Sequence, residues 1–128
     1  MAERALGDVG LTLAQYRVLS LLDDGSAAAT VLADHLAVSR PNVTALVDGL
    51  VERDLVERLT DAADRRRVRH SLTDPGRASL ADADQAVDAR LLAIAGHLEP
   101  AEASQATAGL ALWAGALDAA RDAKVATP

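Results

Sequence analysis

Cysteine and phenylalanine are absent from the 128-residue chain, and Tyr16 and Trp113 are its only aromatic side chains. Without cysteine the chain has no disulfide, no thiolate nucleophile, no cysteine-ligated zinc and no thiol redox sensor of its own. With aromatics scarce, the apolar half of the composition is mostly Ala, Leu and Val, a mixture that suits close-packed helices better than a β-sandwich. Long apolar runs are missing too. No stretch of about 18 uninterrupted apolar residues occurs, and no basic start leads into an apolar segment. A soluble cytoplasmic protein without a membrane partner is the expectation. There is no phosphate-binding loop, no zinc-protease histidine pair, and no serine in an evident His/Asp neighbourhood. His35, His70 and His97 lie on separate elements without a partner at i, i+4, so no metal, cofactor or enzymatic activity is expected. The length fits one domain, or one with a helical extension.

Charge is unevenly spread. The chain as a whole carries −6, but between Val38 and Arg77 eight arginines face seven acids, a local net of +1. The remainder carries −7. A local basic feature on an acidic body suits a protein that touches phosphates on one face only, although solvated arginine loops give the same pattern.

The pattern along the chain is more specific. Thr12 with Gln15 forms a capping box opening a helix that runs to about Asp24, with Tyr16, Leu19 and Leu22 inward and Gly25 as its stop. A short helix follows over about Ala28–Leu36, burying Val31, Leu32 and Leu36. Ala37-Val38-Ser39 connects it tightly to a third helix, about Arg40–Arg53. Ser39 is that helix's cap and Pro41 sits in its first turn, where backbone N–H groups lack intrahelical partners. Val43, Leu46, Val47, Leu50 and Val51 form a full apolar stripe. Arg40, Asn42, Ala45, Asp48 and Glu52 lie on or near the opposite side, the two acids facing solvent or Arg53.

The period then changes to two. Leu55–Thr60 and Arg67–Leu72 read as short strands around a turn over Asp61–Arg66, with Arg67/Arg69 and Val68/Leu72 on opposite faces of the second. Thr73 caps a long helix with Pro75 in its first turn. Leu80, Val87, Leu91, Ile94 and Leu98 give it a coiled-coil-like seam, with Asp84 at the one position that is not apolar. Glu99-Pro100 breaks that helix and opens a last one carrying Leu110, Trp113 and Leu117, with Ala123–Pro128 as a frayed end. The expected fold is mainly α with a small β-hairpin wing: a winged helix-turn-helix plus C-terminal dimerisation helices.

Four elements, in order and at compatible spacing, resemble the multiple-antibiotic-resistance regulator (MarR) family of bacterial transcription factors. They are Leu11-Thr12-x-x-Gln15 with Val18-Leu19, Leu32-Ala33 before Val38-Ser39, Val43-Thr44-x-Leu46-Val47-x-x-Leu50, and Asp64-Arg65-Arg66 followed by Leu72-Thr73-x-x-Gly76. The stretch runs from Leu11 to about Leu80. The resemblance implies a homodimeric, sequence-specific DNA-binding regulator, a repressor, on a pseudo-palindromic operator of double-stranded DNA, relieved by a small-molecule effector. It implies that Arg66, with Arg65 and Arg67 beside it, enters the minor groove, and that Asp64 pairs with Arg66 and holds the wing tip. Ser39 and Thr44 match hydroxyls near phosphates. Arg40, Pro41 and Asn42 match positions facing base edges, where Arg40 suits guanine O6/N7 and Asn42 suits adenine N6/N7. Leu91, Ile94, Leu98, Leu110, Trp113 and Leu117 are the implied dimerisation residues.

Three departures stand out. Position 45 is Ala where many relatives are basic, and Asp54 stands where the family usually has Gly, in a left-handed conformation that Asp tolerates moderately. Only ten residues precede Leu11, where the family has a long dimerisation helix. The expected organisation is therefore a remnant of that helix over residues 1–10, a DNA-binding domain over 11–76 and dimerisation helices over 77–128. The alternative is a winged-helix protein-interaction module, or a truncated dimerisation partner that binds DNA weakly. The acidic net charge and Ala45 lean that way; three consecutive wing arginines lean against it.

Overall fold

Capping chemistry sets most of the helix boundaries. The computed structural model describes residues 1–125 and contains, in chain order, α1 (Ala2–Asp8), α2 (Leu13–Asp23), α3 (Ala29–Leu36), α4 (Arg40–Glu52), β1 (Val56–Thr60), β2 (Val68–Leu72), α5 (Asp74–Ala95) and α6 (Pro100–Val125). Ala126–Pro128, the last part of the expected frayed end, lie outside the described residues; α6 continues through Ala123 to Val125.

At α2 both halves of the capping box are present. The Gln15 N–H donates to Thr12 Oγ1 at 3.1 Å and the Thr12 N–H to Gln15 Oε1 at 3.0 Å. Ser39 caps α4 by accepting from the Asn42 N–H. The α3 and α4 ends close alike. Val38 N–H reaches the Ala33 carbonyl and Leu55 N–H the Leu50 carbonyl, while Ala37 and Asp54 adopt positive φ of 55° and 58°. This is the six-to-one closure that a left-handed residue permits. Spending the Leu55 amide on the cap is why β1 begins one residue later than the hydrophobic alternation suggests.

The chain divides into two units, residues 1–90 and the remainder from Leu91. The core of the first is built from Leu19 and Leu22 of α2, Leu32 and Leu36 of α3, Val43, Val47 and Leu50 of α4, Leu55, Val56 and Leu72 at the base of the hairpin, and Leu80 and Ala83 of α5. Residues 1–10 belong to this unit as well: α1 sinks Leu6 completely into the same core. Its exit is held where Arg53 Nη1 donates to the Gly10 carbonyl at 2.8 Å.

Several inward assignments need correction. Val31 is 45% exposed, and Ala33 is buried in its place. With α3 starting at Ala29, the inward stripe runs through Leu32, Ala33 and Leu36, and Val31 falls beside it. Tyr16 is only partly buried, because its hydroxyl reaches outward to donate to Asp84 Oδ1 at 2.7 Å. That contact accounts for the acid in the α5 seam. Burial, with Asp84 next in importance, raises the Tyr16 pKa. The seam itself does not extend as one helix through Leu98. Helix α5 stops at Ala95, and Leu98 lies in the connection to α6, where Glu102 reaches back to the Glu99 N–H at 3.0 Å and starts the next helix.

Strands β1 and β2 pair antiparallel in the register Val56↔Leu72, Arg58↔His70, Thr60↔Val68. These six share one face of the hairpin, since directly opposed residues point the same way. A further pairing joins Ala27, just before α3, to His70. The Ala27 and His70 backbones exchange hydrogen bonds at 3.0 and 2.7 Å. Arg69 lies on the other face, and its guanidinium donates to the Ser26 hydroxyl at 2.9 Å and to the Ser26 carbonyl. Together these bonds fasten β2 to the α2–α3 connection. Among the described residues, no helix is long and apolar enough to cross a membrane.

Candidate nucleic-acid interface

Helix α4 rests its Val43, Val47 and Leu50 on the core and turns Arg40, Pro41, Asn42, Thr44 and Ala45 to solvent. The hydroxyls of Ser39 and Thr44 are used differently. Ser39 Oγ accepts from the Asn42 amide, so its proton remains available to a phosphate. Thr44 Oγ1 donates to the Arg40 carbonyl at 3.0 Å, so it must leave its own helix before donating elsewhere. The Asn42 side chain makes no hydrogen bond among the described residues, leaving both its donor and acceptor edges open.

The hairpin tip is built by two aspartates. Asp61 Oδ1 accepts from the Ala63 N–H at 2.8 Å, and Asp64 Oδ1 accepts from the Arg66 N–H at 3.0 Å. Backbone bonds from Asp61 to Arg67 and from Arg67 to Asp64 close the loop over residues 61–67. Asp64 therefore holds the tip through the Arg66 backbone amide and not by pairing with the Arg66 guanidinium. Its ion-pair partner is Arg67, at 3.9 Å. Short Asp side chains bond readily to a backbone N–H two residues on, and that chemistry leaves the Arg66 side chain unspent.

The eight arginines between Val38 and Arg77 sort by what they touch. Arg53, Arg69 and Arg77 donate to Gly10, to Ser26 and to the Leu72 carbonyl. Arg58 pairs with Asp48 of α4, where the sequence suggested solvent or Arg53 as that acid's neighbour. Arg67 has its distant pair with Asp64. The guanidinium groups of Arg40, Arg65 and Arg66 have no hydrogen bond or ion pair among the described residues, and all three side chains are exposed.

A cleft of about 380 Å³ separates the front of α4 from the inner face of the hairpin, and Thr30, Arg40, Thr44, Arg58, Arg66 and His70 line it. His70, buried at its floor, donates from Nδ1 to the Ala27 carbonyl at 3.1 Å. Burial pushes the imidazole pKa below its ordinary range; the bond to Ala27 opposes that shift and nearby Arg58 adds to it. Among the described residues no group of histidines and acids is arranged to hold a metal. Of the implied dimerisation residues, Leu91 and Ile94 are exposed on the end of α5, Leu98 in the connection, and Leu110, Trp113 and Leu117 on α6, with Trp113 70% exposed.

Three features escaped sequence reasoning: the Asp48–Arg58 pair, the Ala27–His70 pairing and the use of Arg69 as a fastener. All three join residues from different elements, and only the period-two pattern placing Arg58 and His70 on alternating hairpin positions hinted at them.

A tight helix-turn-helix beside an arginine-bearing hairpin is a winged helix, a class of nucleic-acid-binding fold. The model of the MarR family matches residues 9–67. A MepR-like protein, solved in complex with pseudoligands, is 33% identical, with a TM-score of 0.64 over 83% of this chain and 75% of that one. YusO from Bacillus subtilis is 28% identical, with a TM-score of 0.78 over 90% of this chain and 82% of that one. A cysteine-to-serine mutant of MarR from E. coli is 27% identical, with a TM-score of 0.78 over 85% and 82%. No curated protein sequence matches significantly. The chain belongs to the MarR family, whose members are transcription regulators and not enzymes.

Proposed function

We propose that the protein is a homodimeric, sequence-specific DNA-binding regulator that represses from a pseudo-palindromic operator. Two copies of α4 enter successive major grooves about 34–36 Å apart. Arg40 and Asn42 read base edges, and Ser39, with Thr44 once its hydroxyl turns, holds phosphates. Arg65, Arg66 and Arg67 reach the minor groove, whose negative potential favours arginine. The observation that carries this reading is the division of the arginines. Five of the eight donate to carbonyls, a hydroxyl or carboxylates of the protein itself, whereas Arg40, Arg65 and Arg66 have no partner among the described residues, and Arg40 and Arg66 line one cleft.

The exposed Leu91, Ile94, Leu98, Leu110, Trp113 and Leu117 supply the apolar surface for dimerisation, since large exposed apolar patches mark interaction sites. A small-molecule effector relieves repression by favouring a wing spacing that does not fit the operator, which requires different affinities for the two spacings. The pseudoligands bound to the MepR-like relative support such an effector.

The test is a fluorescence-anisotropy titration against the protein's own upstream intergenic DNA and a scrambled control at two salt concentrations, with sedimentation to read the dimer. Tight, salt-sensitive and selective binding is expected. Equal and weak binding to both DNAs overturns the reading in favour of a protein-interaction module.

A further inference from the structure

One arginine in the cleft is occupied by an acid from the helix proposed to read bases. Asp48 lies on α4 eight residues beyond Arg40 and four beyond Thr44, so the three share one side of the helix, about 12 Å from first to last. Arg58 projects from the inner face of β1 into the cleft shared with Arg40, Thr44 and Arg66. Its guanidinium is bonded to Asp48 Oδ1, and both side chains remain about half exposed, at 41% and 52%. A pair so exposed is weak, because water and salt screen it. A DNA phosphodiester carries the same single negative charge and offers arginine two oxygens in a fork, where Asp48 uses only one.

We propose that Asp48 occupies Arg58 as an intramolecular stand-in for a DNA phosphate, making Arg58 a further backbone contact whose release from Asp48 sets DNA affinity. The proposal rests on the DNA-binding reading above. In the free protein the pair cancels a carboxylate that otherwise repels DNA. On binding, a phosphate takes Arg58 and leaves Asp48 to solvent. Asp48 thus holds affinity down, more for phosphate contact than for base reading, and so acts on all sequences alike.

The experiment measures anisotropy on operator and scrambled DNA from 50 to 200 mM salt for the parent, Asp48→Asn, Arg58→Ala and the double variant. Glu52→Gln serves as a charge-matched control, changing an exposed acid of α4 that has no ion pair among the described residues. Asp48→Asn is expected to tighten binding several-fold on both DNAs at 50 mM. Because a phosphate takes Arg58 in the parent as well, the log–log salt slope is shared by the two proteins, and it is Arg58→Ala that flattens it, by about 0.9. Arg58→Ala in the Asp48→Asn background is expected to abolish the gain, and Glu52→Gln to produce a smaller one.

If Asp48→Asn binds more weakly than the parent, the pair braces the wing and the proposal is overturned. A gain that survives Arg58→Ala, or that Glu52→Gln reproduces in full, overturns it as well, since bulk charge then explains the effect. Absence of DNA binding by parent and variants alike overturns the DNA-binding reading and this proposal together. Binding by the parent with no gain in Asp48→Asn overturns the proposal alone.

Discussion

Replacing Gly76 by Ala places a methyl group 1.9 Å from the Leu55 carbonyl oxygen, 2.9 Å from its carbon and 3.3 Å from its Cα. A carbon and a carbonyl oxygen normally stay about 3.3 Å or more apart. The first turn of α5 and the chain entering β1 must then separate by over an ångström, and both colliding groups are main chain, so no rotamer relieves the overlap. The same Leu55 carbonyl accepts the Thr73 N–H at 3.2 Å, and Thr73 Oγ1 accepts the Gly76 N–H at 3.0 Å while donating to the Asp54 carbonyl. Separation stretches the hydrogen bond from the Thr73 N–H to the Leu55 carbonyl and lifts Leu80 from the core. Overpacking costs about 1–3 kcal/mol, with the upper part expected against backbone. Weakening one hydrogen bond adds about 1 kcal/mol, and the better helix propensity of Ala returns up to about 1 kcal/mol. The net expectation is a loss of about 2–3 kcal/mol, or a fall of roughly 6–15 °C in Tm. Urea and thermal unfolding at one protein concentration measure it. Gly49→Ala in α4 is the matched control, because its new methyl meets only the end of the Gln15 side chain at 4.0 Å. It is expected to stabilise by about 0.5–1 kcal/mol. A Gly76→Ala protein within about 0.5 kcal/mol of its parent would refute the close approach between α5 and β1.

Three further outcomes are expected. Arg66→Ala weakens binding to every DNA and flattens the salt dependence, whereas Asn42→Ala costs about 1–3 kcal/mol of discrimination at one base per half-site; anisotropy on a panel of single-base variants separates the two, and unchanged affinity for Arg66→Ala across the salt range removes the wing from the interface. Asp54→Gly relieves a positive φ of 58° and raises the urea midpoint, by about 0.5–1 kcal/mol in stability; a midpoint at or below the parent's contradicts the strain. For His70, burial depresses the folded pKa, so the unfolded state binds the proton more readily. Its stabilisation is complete above the ordinary histidine value of about 6.5 and is lost as pH falls below it toward the folded value. Urea midpoints of the parent should therefore drop more steeply than those of His70→Asn as pH falls from neutral to acid, and parallel pH profiles would dismiss the buried imidazole.

Local chemistry was legible because it is local. The Thr12/Gln15 box, the Ser39 cap, Pro41 in a first turn and the Val43–Val47–Leu50 stripe each depend on residues within a turn or two of one another, and each is found where the sequence puts it. Asp54 was expected to take a left-handed conformation and does. The hairpin, too, follows from alternation alone. Asp64 shows the boundary of such reasoning. The resemblance implied a pair with the Arg66 side chain, but the turn brings the Arg66 amide to Asp64 and leaves Arg67 as its ion-pair partner.

Partners separated in sequence were decided only by packing. Val31 is exposed because the rotation of α3 about its axis answers to α2 and α4, and one residue of phase moves a side chain across the stripe boundary. Arg53, Arg58, Arg69 and Arg77 look no different from Arg40, Arg65 and Arg66 in a charge count, yet the fold brings a carbonyl, hydroxyl or carboxylate to each of the first four and to none of the last three. The sequence by itself determined where helices and strands start to within about a residue, which faces are largely apolar and where positive charge gathers. The tertiary structure decided which of those charges are spent inside the protein, because a guanidinium bonds to whichever acceptor the chain reversals carry within reach.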